Sequence, residues 1–191
     1  MRSLFALIFS LFVAQSPCFA EEPVYPIKVT VKTHYDPGKI EYRYKYGNLA
    51  EVCGHPQAAG CTHPIYTGYP VFQIRPDGTV DIDLYFIFKP FLIDVSTQFK
   101  PNTCEFDQIL KHELTHVALC RKTMEKYKTF IAAEVLTVAQ NRRFLPWAVF
   151  QRAIRQAFDA AFKNFQKELD RQNALLDGPE HYDYQWKHNC H

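Results

Sequence analysis

Five consecutive residues, His112-Glu113-Leu114-Thr115-His116, hold the side chains that a hydrolytic metal site needs. On a helix, residues i and i+4 share a face one turn apart, so the two imidazoles converge on a single ion. Glu113, beside the first imidazole, reaches a water on that ion. Zinc brings the pKa of such a water toward neutrality and polarises a carbonyl, while a carboxylate takes the proton and returns it to the leaving group. The spacing therefore predicts one catalytic zinc, with His112 and His116 as ligands and Glu113 as general base. Apolar flanks, Ile109-Leu110 before and Val117-Ala118-Leu119 after, suit a helix lying on a core.

These side chains need a long helix to carry them. Pro101-Asn102-Thr103 ahead of Glu105 is a capping signal, and neither Pro nor Gly occurs from there to Arg143. One long helix, or two abutting ones, is expected until Pro146 breaks it. A second helix then runs to about Leu176, and Gly178-Pro179 ends it. Its apolar residues Phe150, Ile154, Phe158, Phe162, Phe165 and Leu169 recur every three or four positions and read as core. The preceding part, 21–100, holds six of the seven glycines and reads as strands and turns. Ile27 to Lys32 and Ile40 to Tyr46 alternate apolar and polar around an Asp36-Pro37-Gly38 turn. Val71 to Arg75, Pro76-Asp77-Gly78 and Thr79 to Phe88 read as a hairpin whose second arm ends buried. The expected class is α+β, with N-terminal antiparallel strands and hairpins packed on two long C-terminal helices.

The chain has 191 residues and a net charge of +2. That length fits one domain. With no long basic block, the charge makes no case for nucleic acid. Arg2, the apolar run Leu4 to Ala14 and Cys18-Phe19-Ala20 read as a signal peptide over 1–20, leaving one domain over 21–191. No run reaches the roughly 20 apolar residues of a membrane span. A secreted or periplasmic, oxidising location follows. There the loop Cys53-Gly54-His55-Pro56 to Cys61-Thr62-His63-Pro64 reads as a Cys53–Cys61 disulfide, with a Cys2His2 zinc site as the competing reading.

The H-E-x-x-H run resembles the active-site signature of the zincin metallopeptidases. That resemblance implies an edge strand holding extended substrate beside the helix, which would fall in Val80 to Phe88. Leu119 and Lys122 exclude the metzincin extension, which needs Gly and His there. Asp183 followed by His188 near the C-terminus resembles an uncharacterised bacterial family of predicted secreted zinc peptidases, over roughly residues 80–190. It implies His188 as the third zinc ligand, with Glu134, His181, Asp183 and His191 left as alternatives. A Cys120–Cys190 disulfide would bring His188 to the metal; Cys104–Cys190 is the competing pair. Tyr182 and Tyr184 are candidate oxyanion donors. The reading is an exported zinc metallopeptidase acting on peptide or protein substrates, including those of the cell envelope. A cell-wall peptide amidase and a non-catalytic secreted binding module are the alternatives.

Overall fold

The computed structural model describes residues 29–46, 49, 53, 58–178 and 190. The expected leader and the tail residues His181, Asp183, His188 and His191 lie outside the described residues. Six strands come first: β1 (Val29–Asp36), β2 (Ile40–Tyr46), β3 (Gly60–His63), β4 (Tyr66–Ile74), β5 (Val80–Phe88) and β6 (Phe91–Ser96). Two helices follow, α1 (Cys104–Arg142) and α2 (Trp147–Leu176). The class is α+β, with two three-stranded sheets and two long helices packed against each other.

The sheets are mixed rather than antiparallel. Strand orders are β1-β5-β4 and β2-β6-β3. β4 and β5 form the expected hairpin, but β1 runs parallel to β5 and β2 parallel to β6. One register serves both parallel pairs, from Val29 opposite Val80 to Arg43 opposite Asp94. The two sheets are thus one three-stranded ribbon bent at a common corner. Each arm carries a proline there, Pro37, Pro64 or Pro90. Proline lacks the N–H that would continue the ladder. The corner is held by Lys89 N–H donating to the Ile65 carbonyl and Phe91 N–H donating to that of Lys39. Gly38 turns through it at φ 67°, where an added Cβ would lie 2.8 Å from the Lys89 carbonyl oxygen. Arg121 of α1 donates to the Pro37 and Gly38 carbonyls from outside. Gly38→Ala is expected to cost about 1–3 kcal/mol from the backbone strain alone, read as a lowered melting temperature.

β5 is the central strand of its sheet, so it has no free edge. The substrate-binding edge expected over Val80 to Phe88 is therefore corrected: the long apolar run reflects burial in the middle of a sheet. Val80, Ile82, Leu84, Phe86 and Phe88 are buried toward the helices. Phe86 stacks on Phe158 of α2, and Tyr66 of β4 meets Phe162 and Phe165 edge to face. Asp81 and Asp83, on the opposite side of β5, are also buried; Arg75 and Lys32 hold the first, His34 the second.

α1 is one unbroken helix, capped by the Thr103 side chain accepting from Phe106 N–H. Its buried stripe runs Phe106, Ile109, Val117, Cys120, Met124, Ile131, Val135, Ala139, with the ionisable His112 and Glu113 set into it. In α2, Phe150, Ile154, Phe158, Phe165 and Leu169 are buried as expected, and Phe162 packs half-buried against them. None of the described helices is long and apolar enough to cross a membrane.

Cys53 and Cys61 form a disulfide, and so do Cys104 and Cys190. The Cys120–Cys190 bond is corrected: Cys190 pairs with Cys104, and Cys120 is free and buried in the apolar stripe of α1. Burial pushes its thiol up to about 12. In a Cys18→Ser background, Cys120 is expected to ignore a thiol reagent at pH 8 and to react once denaturant unfolds the chain.

Candidate metal centre

His112, Glu113 and His116 lie in the segment of α1 that faces β3 on one side and the end of α2 on the other. α1 and α2 are antiparallel arms joined by the short turn 143–146. Running back the same distance as α1 runs out, α2 brings Asn173 and Asp177 opposite His116 and His112. Asp177 is the residue that ends α2, its N–H donating to the Asn173 carbonyl.

Three ligand atoms converge. His112 Nε2 lies 3.2 Å from His116 Nε2 and 3.2 Å from Asp177 Oδ1, and His116 Nε2 lies 2.9 Å from the same oxygen. Atoms bound to a tetrahedral zinc at about 2.0–2.1 Å stand about 3.3 Å apart. The three atoms are thus close enough to share one metal ion. Asn173 Oδ1 accepts from His116 Nδ1–H at 3.0 Å, so in the neutral ring Nε2 keeps the lone pair that faces the other two. Two imidazole nitrogens and a carboxylate oxygen at this spacing repel unless a proton or a cation sits among them. Burial disfavours the Asp177 anion, but hydrogen bonds with His112 and His116 outweigh it and hold the carboxyl well below the usual range. Burial also disfavours the His116 cation, and its bonds to Asp177 and Asn173 more than offset that, raising its pKa.

Glu113 is 4% exposed. Burial raises its carboxyl above the ordinary range, against the lowering effect of His116, His112 and the Thr62 hydroxyl. Thr62 of β3 lies 2.9 Å from Glu113 Oε2 and 3.0 Å from the Glu113 carbonyl, its one proton serving either. β3 comes this close because Gly60 has no side chain; a Cβ there would stand 2.6 Å from Ile109 Cγ2 and 3.0 Å from Glu113 Cγ.

The other residues singled out from the sequence fall elsewhere. Glu134 is exposed on the unbroken α1, 18 residues beyond His116, about 27 Å along the axis, and cannot join the cluster. His188 and its alternatives in the tail, with Tyr182 and Tyr184, lie outside the described residues. A second polar cluster joins Cys61, His63 and Asp94. There Cys61 is spent in its disulfide, and Arg43 holds the fully buried Asp94 through two hydrogen bonds at 2.6 and 2.7 Å. That cluster neutralises an interior carboxylate. His55, the remaining member of the Cys2His2 reading, lies outside the described residues.

Asp177, Asn173 and Thr62 were not among the residues picked out by motif. For the first two a signal existed: the turn at 143–146 is equidistant from His112 and Asp177. Thr62 had none, because its neighbourhood depends on the ribbon corner. Comparison with protein-family models, with curated proteins and with solved structures finds no match to this chain.

Proposed function

We propose that the chain is an exported zinc metallopeptidase, with His112, His116 and Asp177 as the protein ligands and Glu113 as the proton carrier. The observation that carries this reading is the set of three donor atoms 2.9–3.2 Å apart beside a buried carboxylate. Zinc bound there would activate a water and polarise the scissile carbonyl. Glu113 suits the proton transfers, since burial has already moved its carboxyl toward neutrality. Thr62 fixes the direction in which that carboxyl points. A non-catalytic binding module has no use for an ionisable group set into the apolar stripe of α1, where its charge is disfavoured.

β3 is an edge strand whose one partner among the described residues is β6. We infer that β3 rather than Val80–Phe88 holds substrate: its other edge, unpaired among the described residues, would receive an extended peptide by strand addition. The two disulfides fit an oxidising, exported location. The test is hydrolysis of an unfolded protein by the purified chain, its abolition by a chelator and its recovery with one equivalent of zinc. Undiminished cleavage after complete zinc removal would overturn the proposal.

A further inference from the structure

The far end of the helical hairpin has a different character from the candidate metal centre. Four large apolar side chains are exposed there or beside it: Phe144 at 58%, Val149 at 43%, Trp147 at 37% and, on β4, Ile74 at 59%. Trp147 ties β4 to the helical turn, since its ring meets Phe72 edge to face at 5.9 Å and stacks on Phe150 at 5.6 Å. Ile74 lies two residues beyond Phe72 and so on the same strand face. Around these side chains stand Arg142, Arg143, Arg152 and Arg155, all exposed. Arg143 lies over the Phe144 ring and Arg155 over that of Phe72. None of the four arginines joins an ion pair among the described residues. Between Glu134 and Asp159 the sequence has no acidic residue at all, in a chain whose overall charge is only +2.

We propose that this basic, aromatic hairpin tip docks on an anionic phospholipid membrane surface. Tryptophan and phenylalanine settle at the boundary of headgroups and acyl chains. Arginine stems lie along the apolar layer while the guanidinium groups reach lipid phosphates. These four positive charges, in no ion pair among the described residues, are what an anionic leaflet complements. A second copy of the chain would bring two positive tips together, and like charges oppose that contact. A specific protein partner would need about 800 Å² of matched surface, whereas this end offers a few side chains at a turn, which a deformable bilayer can accept. His112 is thirty residues from Arg142, about 45 Å along α1, so docking leaves the candidate metal centre open. The inference is independent of what that centre does.

The test is co-sedimentation of the purified chain with vesicles of equimolar phosphatidylglycerol and phosphatidylcholine, against vesicles of phosphatidylcholine alone. In a Trp186→Phe background, Trp147 emission should shift to the blue on the anionic vesicles only. Raising the salt should weaken the binding. Replacing Arg142 and Arg143 by Gln together should weaken it about 25-fold, at about fivefold per arginine. Phe144→Ser should weaken it separately, with zinc content unchanged in both variants. Any binding carried by residues 1–28 is common to all the chains compared and drops out. Absence of binding, or equal binding by wild type and both variants, would overturn the proposal. Self-association lost in Phe144→Ser, without vesicle binding, would overturn it in favour of a second copy.

Discussion

Glu113→Gln is expected to keep one zinc per chain and to lose turnover by about 10²–10⁴-fold, the share that a positioned acid–base group supplies. The amide is nearly isosteric and can still accept from Thr62, so the replacement removes the proton acceptor and little else. Elemental analysis beside an initial-rate assay separates the two effects. Stability should move the other way. Burial raises the Glu113 carboxyl in the folded chain above its ordinary value near 4.5. A carboxyl raised by folding binds its proton more tightly in the native state, so stability falls as pH rises from that ordinary value through the raised one. In the zinc-free protein the variant should therefore melt above the wild type, with the gap opening as pH rises over that window. A variant with wild-type turnover would remove Glu113 from the chemistry and overturn its assignment as the proton carrier.

Asp177→Ala is expected to abolish stoichiometric zinc binding, while His188→Ala keeps it. Loss of an outer hydrogen-bond partner costs about 10–100-fold in metal affinity. Asn173→Ala should fall in that range, and Asp177→Ala should exceed it. The zinc-bound wild type should also melt higher than the zinc-free chain, because the ion ties the start of α1 to the end of α2 and binds only the folded state. If His188→Ala loses zinc and Asp177→Ala does not, the tail supplies the third ligand. If both lose it, zinc has four protein ligands and no open position, the pattern of a structural site, and the peptidase proposal fails.

The helical half was legible because its signals are local. Thr103 caps α1, the stripe from Phe150 to Leu169 is regular, and Pro146 breaks the helix where the sequence says it should. The strands were legible as strands but not in their pairing. β1 and β2 flank a turn signal that suggests a hairpin, yet their partners lie 51 residues downstream. Nothing local to Ile40–Tyr46 names Phe91–Ser96 as its neighbour. The same limit explains the misplaced substrate edge: the apolar run of β5 marks burial, and burial is the mark of a central strand. At the site, His112, Glu113 and His116 announce themselves through one helical turn. Asp177 does not, because a carboxylate at a helix end is ordinary until the hairpin's symmetry is counted out from Arg143–Pro146. Cys120 misled through its helical phase: one turn past His116 lies the buried stripe of α1, and Cys190 pairs instead with Cys104 at the start of that helix.

The Cys104–Cys190 bond makes a covalent ring out of the segment between them, 86 residues in sequence separation. His112, Glu113, His116, Asn173 and Asp177 all lie within that ring, and so does the turn at 143–146. A linear hairpin cut at its turn falls into two fragments, whereas a ring cut once is still one molecule. Cleavage between Arg142 and Trp147 would leave α1 and α2 joined through the disulfide at the end of the hairpin nearer the candidate site. In the chain-entropy account, closing a loop of this size limits the unfolded ensemble by about 4–5 kcal/mol. The same bond keeps the two halves from diffusing apart after a nick. For a protein placed among proteases, or able to cut its own kind, the turn becomes the expendable part of the circuit and the candidate metal centre its protected part.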